Sequence, residues 1–163
     1  MYKRQLDPQK CIAKVGLQLF ISEGPKVLEF LSHKGFEIFL DLKLHDIPNT
    51  VKKSVEEISK YNVKLTTIHL QGGRDMIQAA NQAKGDTKIL GVSLLTSLDD
   101  SDTRELYNND FKKQFDNLID VAMETKMDGI VCSIEVYIHH ASINSKQKFH
   151  VNKLNIFHIQ GFG

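Results

Sequence analysis

The sequence predicts an α/β protein, an incomplete (β/α)8 TIM-type barrel of about five βα units with an irregular C-terminal tail. Apolar runs of strand length alternate with segments of helical period along most of the chain. Polar residues at the strand ends recur at intervals of 27, 28 and 27 residues, at Lys14, Asp41, His69 and Thr96. A barrel places its chemistry at several successive strand ends. An open doubly wound sheet would instead use one switch point with a glycine-rich phosphate loop, which the sequence lacks.

Each element follows from a local pattern. A helix is predicted over residues 25–34 because Pro25 suits a first helical turn and Gly35 ends it. Strands are predicted where short apolar runs occur, at residues 11–15, 37–44, 64–70, 88–95 and 129–133. Three further helices are predicted. The first has Val51, Val55 and Ile58 on one apolar face, and the second follows Gly72-Gly73 and ends near Gly85. The third has an apolar face made of Phe111, Phe115, Leu118, Ile119 and Ala122.

The chain divides by composition near residue 135. Residues 1–135 carry the strand–helix alternation and are predicted to form the partial barrel. Residues 136–163 are rich in Lys, Asn, Ile and His and have no clean helical period, so they are predicted to form an atypical tail. Within that tail, residues 149–159 have the composition of a strand.

Composition excludes several classes of protein. The 163 residues are 41% hydrophobic and 25% charged, which is ordinary for a soluble globular domain and argues against disorder or a membrane protein. A net charge of +1 gives no reason to expect binding to a nucleic acid polymer or an anionic membrane. Cys11 and Cys132 form no CxxC pair and are predicted to be reduced thiols, and no signal peptide is expected. A cytoplasmic location is therefore predicted.

Residues 37–50 contain the strongest indication of a functional site. One face of the predicted strand is entirely apolar, while the other presents Asp41 and Lys43, two residues apart and hence side by side. Asp46 follows just past the strand end. Alternating charge usually marks the solvent face of an antiparallel sheet. A strand flanked by helices is covered on both faces, where charges are costly unless they are paired or used in chemistry.

Several motifs resemble those of the orotidine 5′-phosphate decarboxylase family. The central one is DLKLHDIPNTV at residues 41–51, and HLQGGRDMIQAA at 69–80, LLTS at 94–97 and DGIVCS at 128–133 are similar to further segments of that family. The preceding unit at residues 13–39 also resembles the family, so the similarity covers roughly residues 10 to 135. Related phosphosugar barrels share only a sparser Asp-x-Lys-x-x-Asp pattern, and the surrounding HDIPNT distinguishes this family from them.

The resemblance implies decarboxylation of orotidine 5′-phosphate to UMP, in pyrimidine biosynthesis, without a cofactor or metal. Lys43 would donate the proton to the carbon that loses CO2, and Asp41 would lie beside the departing carboxylate and hold Lys43. Fixed positive charge near that carbon would stabilise the developing carbanion. Asp46 would complete the array from the neighbouring subunit of a homodimer, together with Thr50. Further implied contacts with the nucleotide substrate are Lys14 with the ribose, Thr96 with the pyrimidine ring, and Ile47 in the binding site.

The sequence also departs from the family pattern. No strand unit precedes residues 11–15, no Pro-Gly strand follows Ser133, and no arginine follows Arg104 to grip a phosphate. Because remote contacts position the substrate, little or no decarboxylase activity is expected of this chain alone. Three hypotheses follow: a decarboxylase, active alone or complemented by a second polypeptide; a non-catalytic remnant or dimerising module; or a related phosphosugar lyase or aldolase that needs a metal.

Overall fold

The strands form one parallel sheet in which spatial order equals chain order. A computed structural model describes residues 6–95 and 97–131, together with the backbone of residues 155–157. Within these ranges, six strands pair in the order β1-β2-β3-β4-β5-β6, and every neighbouring pair is parallel. A doubly wound sheet would reverse its strand order at a switch point. The unbroken order is that of a barrel segment, which confirms the predicted class.

The elements alternate as the sequence predicts. The strands are β1 (Ile12–Gly16), β2 (Glu37–Leu44), β3 (Val63–His69), β4 (Lys88–Val92), β5 (Gly129–Val131) and β6 (Asn155–Phe157). The helices are α1 (Leu17–Glu23), α2 (Lys26–His33), α3 (Pro48–Ser59), α4 (Gly73–Ala83), α5 (Asp100–Tyr107) and α6 (Phe111–Glu124), and a short 3-10 turn, Leu70–Gly72, precedes α4.

The two faces of the sheet bury different partners. One face packs against the helices in two clusters, the larger containing Ile68 and Ile89 with residues of α3, α4 and α6, the smaller containing Val15 and Leu40. The opposite face carries a cluster without helical residues, made of Phe39, Leu65, Leu90 and Val131. We call the first the outer face and the second the inner face. Because side chains alternate along a strand, Asp41 and Thr67 share the inner face with Phe39 and Leu65.

Two helices escaped the sequence-based prediction. Helix α1 is seven residues long and buries no residue, and although four of its residues are apolar, the segment is too short to show a repeated helical period. Helix α5 is polar and is stabilised at its start by a capping box between Asp99 and Asp102. An acidic residue followed three positions later by another was the available signal for α5.

Strand β6 lies in the segment predicted as an atypical tail. It falls within residues 149–159, where the sequence suggested a strand, and it pairs with β5 in parallel through Gly129 and Asn155. It adds one strand to the five that were expected. Thr96, Cys132 and Ser133 lie outside the described residues, and the proposed boundary at residue 135 stays a prediction. Among the helices that the structure describes, none is long and apolar enough to cross a membrane.

Candidate active site

The centre of the site is a buried carboxylate surrounded by donors. Asp41 lies on the inner face of β2, and the residue retains 6% of its accessible surface. Lys43 Nζ lies 3.0 Å from its Oδ1 and 2.9 Å from its Oδ2, so the ammonium contacts both oxygens. Lys14 Nζ, from β1, lies 3.9 Å from the same Oδ2. A buried carboxylate is costly without such compensation, and here two ammonium groups supply it.

Thr67 also binds Asp41, and sequence reasoning missed it. Its hydroxyl on β3 donates to Asp41 Oδ1 over 2.9 Å, and its residue is fully buried. The same hydroxyl oxygen accepts the backbone N–H of Lys43 over 2.9 Å. Threonine in a strand is ordinary, so only the register between β2 and β3 reveals the contact. Leu40 pairs with Thr66 in that register, which brings the following residues, Asp41 and Thr67, side by side.

The end of β2 is irregular where Lys43 lies. Leu40 pairs with Thr66 and Leu44 pairs with Ile68, so four residue steps on β2 face two on β3. Lys43 itself has a φ of 52°, in the left-handed region that residues with a Cβ rarely adopt. Simple strand alternation predicted that Lys43 and Asp41 would be adjacent, and they are. The bulge that aims the lysine was not predicted. Such irregularities are common beside active sites.

The loop after β2 and the first turn of α3 carry the other residues of the predicted array. Asp46, Ile47 and Thr50 are all exposed, and Ile47 retains 66% of its accessible surface. Asp46 Oδ1 accepts the N–H of Ile47 over 2.7 Å at the start of α3. Within the described part of this single chain, Lys43 forms its ion pair with Asp41 and not with Asp46. The predicted role of Asp46 and Thr50 in a neighbouring subunit stays a prediction, as does that of Thr96, outside the described residues.

A polar chain links the ends of β3 and β4 beside the charged group. His69 Nδ1 donates to Gln71 Oε1 over 3.1 Å, and Gln71 Nε2 donates to the Ser93 carbonyl over 2.6 Å. The rings of His69 and His45 lie 5.3 Å apart. His45 directly follows β2, and His69 is the last residue of β3, so this ring contact lies where the two strands end.

The environment favours the neutral form of His69. Burial lowers the pKa of His69 below its usual value, and the nearby His45 and Lys43 act in the same direction. The hydrogen bond to Gln71 and the charge of Asp41 oppose that shift. A neutral imidazole adds no further positive charge beside Lys43.

The charge pattern suits an anionic substrate. Lys14, Lys43 and Asp41 together carry a formal net charge of +1, and the side chains of the two lysines are 36% and 39% exposed. Across residues 6–95 and 97–131, no group of three or more His, Cys, Asp or Glu is arranged to hold a metal ion. The arrangement therefore offers a partly accessible proton donor beside a fixed negative charge.

The family follows from a direct match. The family model described as orotidine 5′-phosphate decarboxylase / HUMPS matches residues 3–153. The chain belongs to this family. Among curated relatives, the orotidine 5′-phosphate decarboxylase of Ligilactobacillus salivarius is 42% identical over 146 residues, which cover 82% of this chain and 60% of that protein. The chain thus spans about 60% of the length of the relative it matches.

Solved structures of related proteins share the fold. Orotidine 5′-phosphate decarboxylase from Lactobacillus acidophilus superimposes with a TM-score of 0.77 at 33% identity, over 84% of this chain and 66% of that one. An uncharacterized conserved protein from Geobacillus kaustophilus gives a TM-score of 0.81 at 28% identity, over 91% of this chain and 71% of that one. These matches confirm the incomplete barrel of the decarboxylase family that the sequence predicted.

Proposed function

We propose that this chain carries the catalytic pair for decarboxylation of orotidine 5′-phosphate to UMP, a step of pyrimidine biosynthesis. The observation that carries the proposal is the ammonium of Lys43 held by both oxygens of the buried Asp41, at 3.0 and 2.9 Å, inside the family's central motif. The curated relative from Ligilactobacillus salivarius is named for this activity. Site chemistry and relatedness therefore support the same reaction.

The geometry suits the chemistry of this reaction. The bond from the pyrimidine ring to the carboxylate breaks, CO2 leaves without the bonding electrons, and negative charge develops on the ring carbon. An ammonium fixed near that carbon stabilises the charge and can then deliver its proton there, which forms the new C–H bond of UMP. Asp41 holds the ammonium in place and puts negative charge beside the substrate carboxylate. Lys14, whose Nζ lies 3.9 Å from Asp41 Oδ2, would contact the ribose.

Removing the amine of Lys43 tests the proposal. Whatever release of CO2 from orotidine 5′-phosphate the chain supports, alone or complemented by a second polypeptide, is expected to fall at least about 1000-fold in Lys43→Ala, because both charge stabilisation and the proton donor are lost. Lys64→Ala is the matched control. Lys64 of β3 forms an ion pair with Glu37 of β2 over 2.9 Å, at the opposite end of β2 from Lys43. The control variant should leave turnover unchanged.

Other outcomes identify the competing hypotheses. If the chain shows no turnover and Lys43→Ala behaves like the parent protein, a non-catalytic remnant or dimerising module is the better description. Activity that requires an added divalent metal favours the phosphosugar lyase or aldolase. A cytoplasmic location, predicted from the sequence, is part of the same proposal.

We also propose that the chain forms a homodimer in which Asp46 and Thr50 reach the neighbouring site. Large apolar side chains are exposed both on α1, where Ile21 is 75% exposed, and at Ile47 between the two candidate residues. Ile47→Asp is expected to shift the protein towards monomer in sedimentation velocity, because it buries a charge in the proposed interface. Leu106→Asp, at a side chain that is 62% exposed on α5, is the control. Equal masses for both variants and the parent would contradict this interface.

A further inference from the structure

We propose that Thr67 is a positioning residue that sets the relative geometry of Asp41 and Lys43, an inference that rests on the proposed decarboxylase function. Its hydroxyl lies between the carboxylate of one residue and the backbone of the other. It is not expected to touch the substrate's reacting atoms, and it acts through the two residues it binds.

The bonding capacity of the hydroxyl is used in both directions. A threonine hydroxyl has one hydrogen to donate, and here it goes to Asp41 Oδ1 over 2.9 Å. The oxygen still accepts, and it receives the Lys43 N–H over 2.9 Å. Thr67 is fully buried, so water does not compete for either bond. One group therefore orients the carboxylate and fixes the backbone that carries the ammonium.

The second bond matters because the backbone at Lys43 is irregular. The register of β2 slips against β3 between Leu40 and Leu44, and Lys43 has a φ of 52°. A residue with a Cβ in this conformation needs its surroundings to hold it there. The Thr67 oxygen offers the Lys43 N–H a side-chain acceptor at the point where the slip occurs. Without it, both this N–H and one oxygen of Asp41 lose a partner.

The neighbouring threonine provides an internal reference. Thr66 lies on the same strand and is also fully buried, and its hydroxyl also bonds to β2, donating to the Leu40 carbonyl over 3.0 Å. It faces the outer side of the sheet, away from the charged pair. Thr66→Val thus removes a buried inter-strand hydrogen bond without touching Asp41 or Lys43. It separates a general loss of stability from a specific loss of positioning.

The decisive experiment compares Thr67→Val, Thr67→Ser and Thr66→Val in two measurements. In native-state hydrogen exchange, Thr67→Val should speed exchange of the Lys43 amide roughly two- to tenfold, the equivalent of one lost hydrogen bond. In the decarboxylase assay it should lower kcat by about 10- to 100-fold with little change in KM, because misplaced groups weaken the transition state more than substrate binding. Thr67→Ser keeps the hydroxyl, so its Lys43 amide exchange rate and its kcat should both lie close to those of the parent. Thr66→Val should change neither the exchange rate of the Lys43 amide nor kcat.

Each outcome decides the question. If Thr67→Val and Thr66→Val give the same Lys43 exchange rate and the same kcat, Thr67 has no special role and the inference is wrong. If Thr67→Val does not fold, Thr67→Ser carries the test: parental protection of the Lys43 amide is required, and its loss overturns the inference. Inactivity of the parent chain, both alone and when complemented by a second polypeptide, contradicts the proposed function instead, and the exchange rates of the Lys43 amide alone then decide whether Thr67 positions the pair.

Discussion

The outer and inner faces of β2 and β3 follow different rules. On the outer face, Leu40 and Ile68 are completely buried against the helical layer, and apolar packing explains their identity. On the inner face, Asp41 and Thr67 are also buried but polar, and each is explained by a particular partner. At these positions the outer face therefore stabilises the fold by burying apolar area, whereas the polar end of the inner face, beyond its apolar cluster of Phe39 and Leu65, depends on the distances between a few hydrogen-bonding atoms. Substitutions on the two faces should fail in different ways.

The largest effect on stability is expected on the outer face. Leu40→Ala should lower the free energy of unfolding by about 2–5 kcal/mol, because it leaves a cavity in a fully packed cluster. Urea denaturation measures the change. Leu106→Ala, at a side chain that is 62% exposed on α5 and outside the proposed dimer interface, is the control and should stay within about 0.5 kcal/mol of the parent. A similar small loss for Leu40→Ala would mean that the outer face is not tightly packed.

An intermediate effect is expected from the backbone on the inner side. With a φ of 52° at position 43, Lys43→Gly should be more stable than Lys43→Ala by about 1 kcal/mol, because glycine has no Cβ to strain the left-handed conformation. Lys14 is the matched control, since it lies in a regular strand. There glycine should be less stable than alanine. The same order at both positions, measured by urea denaturation, would argue against strain at Lys43.

The smallest effect is expected from pH. Because the pKa of His69 is lowered in the folded protein, the unfolded chain takes up a proton first as the pH falls. The contribution of His69 to stability is thus fully present above the usual histidine pKa of about 6.5 and is lost as the pH falls through the lower folded value. His69→Gln should flatten this part of the curve of unfolding free energy against pH. An unchanged slope below pH 6.5 would show that His69 is not desolvated.

Prediction from sequence succeeded where the information is local. Alternation in residues 37–44 identified β2 and placed Asp41 beside Lys43, and the apolar positions Val51, Val55 and Ile58 identified the buried face of α3. Prediction failed where local pattern is weak. Helix α1 is only seven residues long and α5 has few apolar residues, so neither shows a repeated helical period of apolar positions. Sequence comparison then established the family, over residues 3–153.

The sequence by itself determined the barrel class, the family and the adjacency of Asp41 and Lys43, because each of these is encoded in short-range periodicity or in one contiguous motif. Only the tertiary structure decided that Thr67, 26 residues from Asp41, binds that carboxylate, and that Lys43 occupies a left-handed bulge. The physical reason is register. Which residues of two parallel strands face each other depends on the helix between them and on the slip in the ladder, and neither is readable from the side-chain alternation of a single strand.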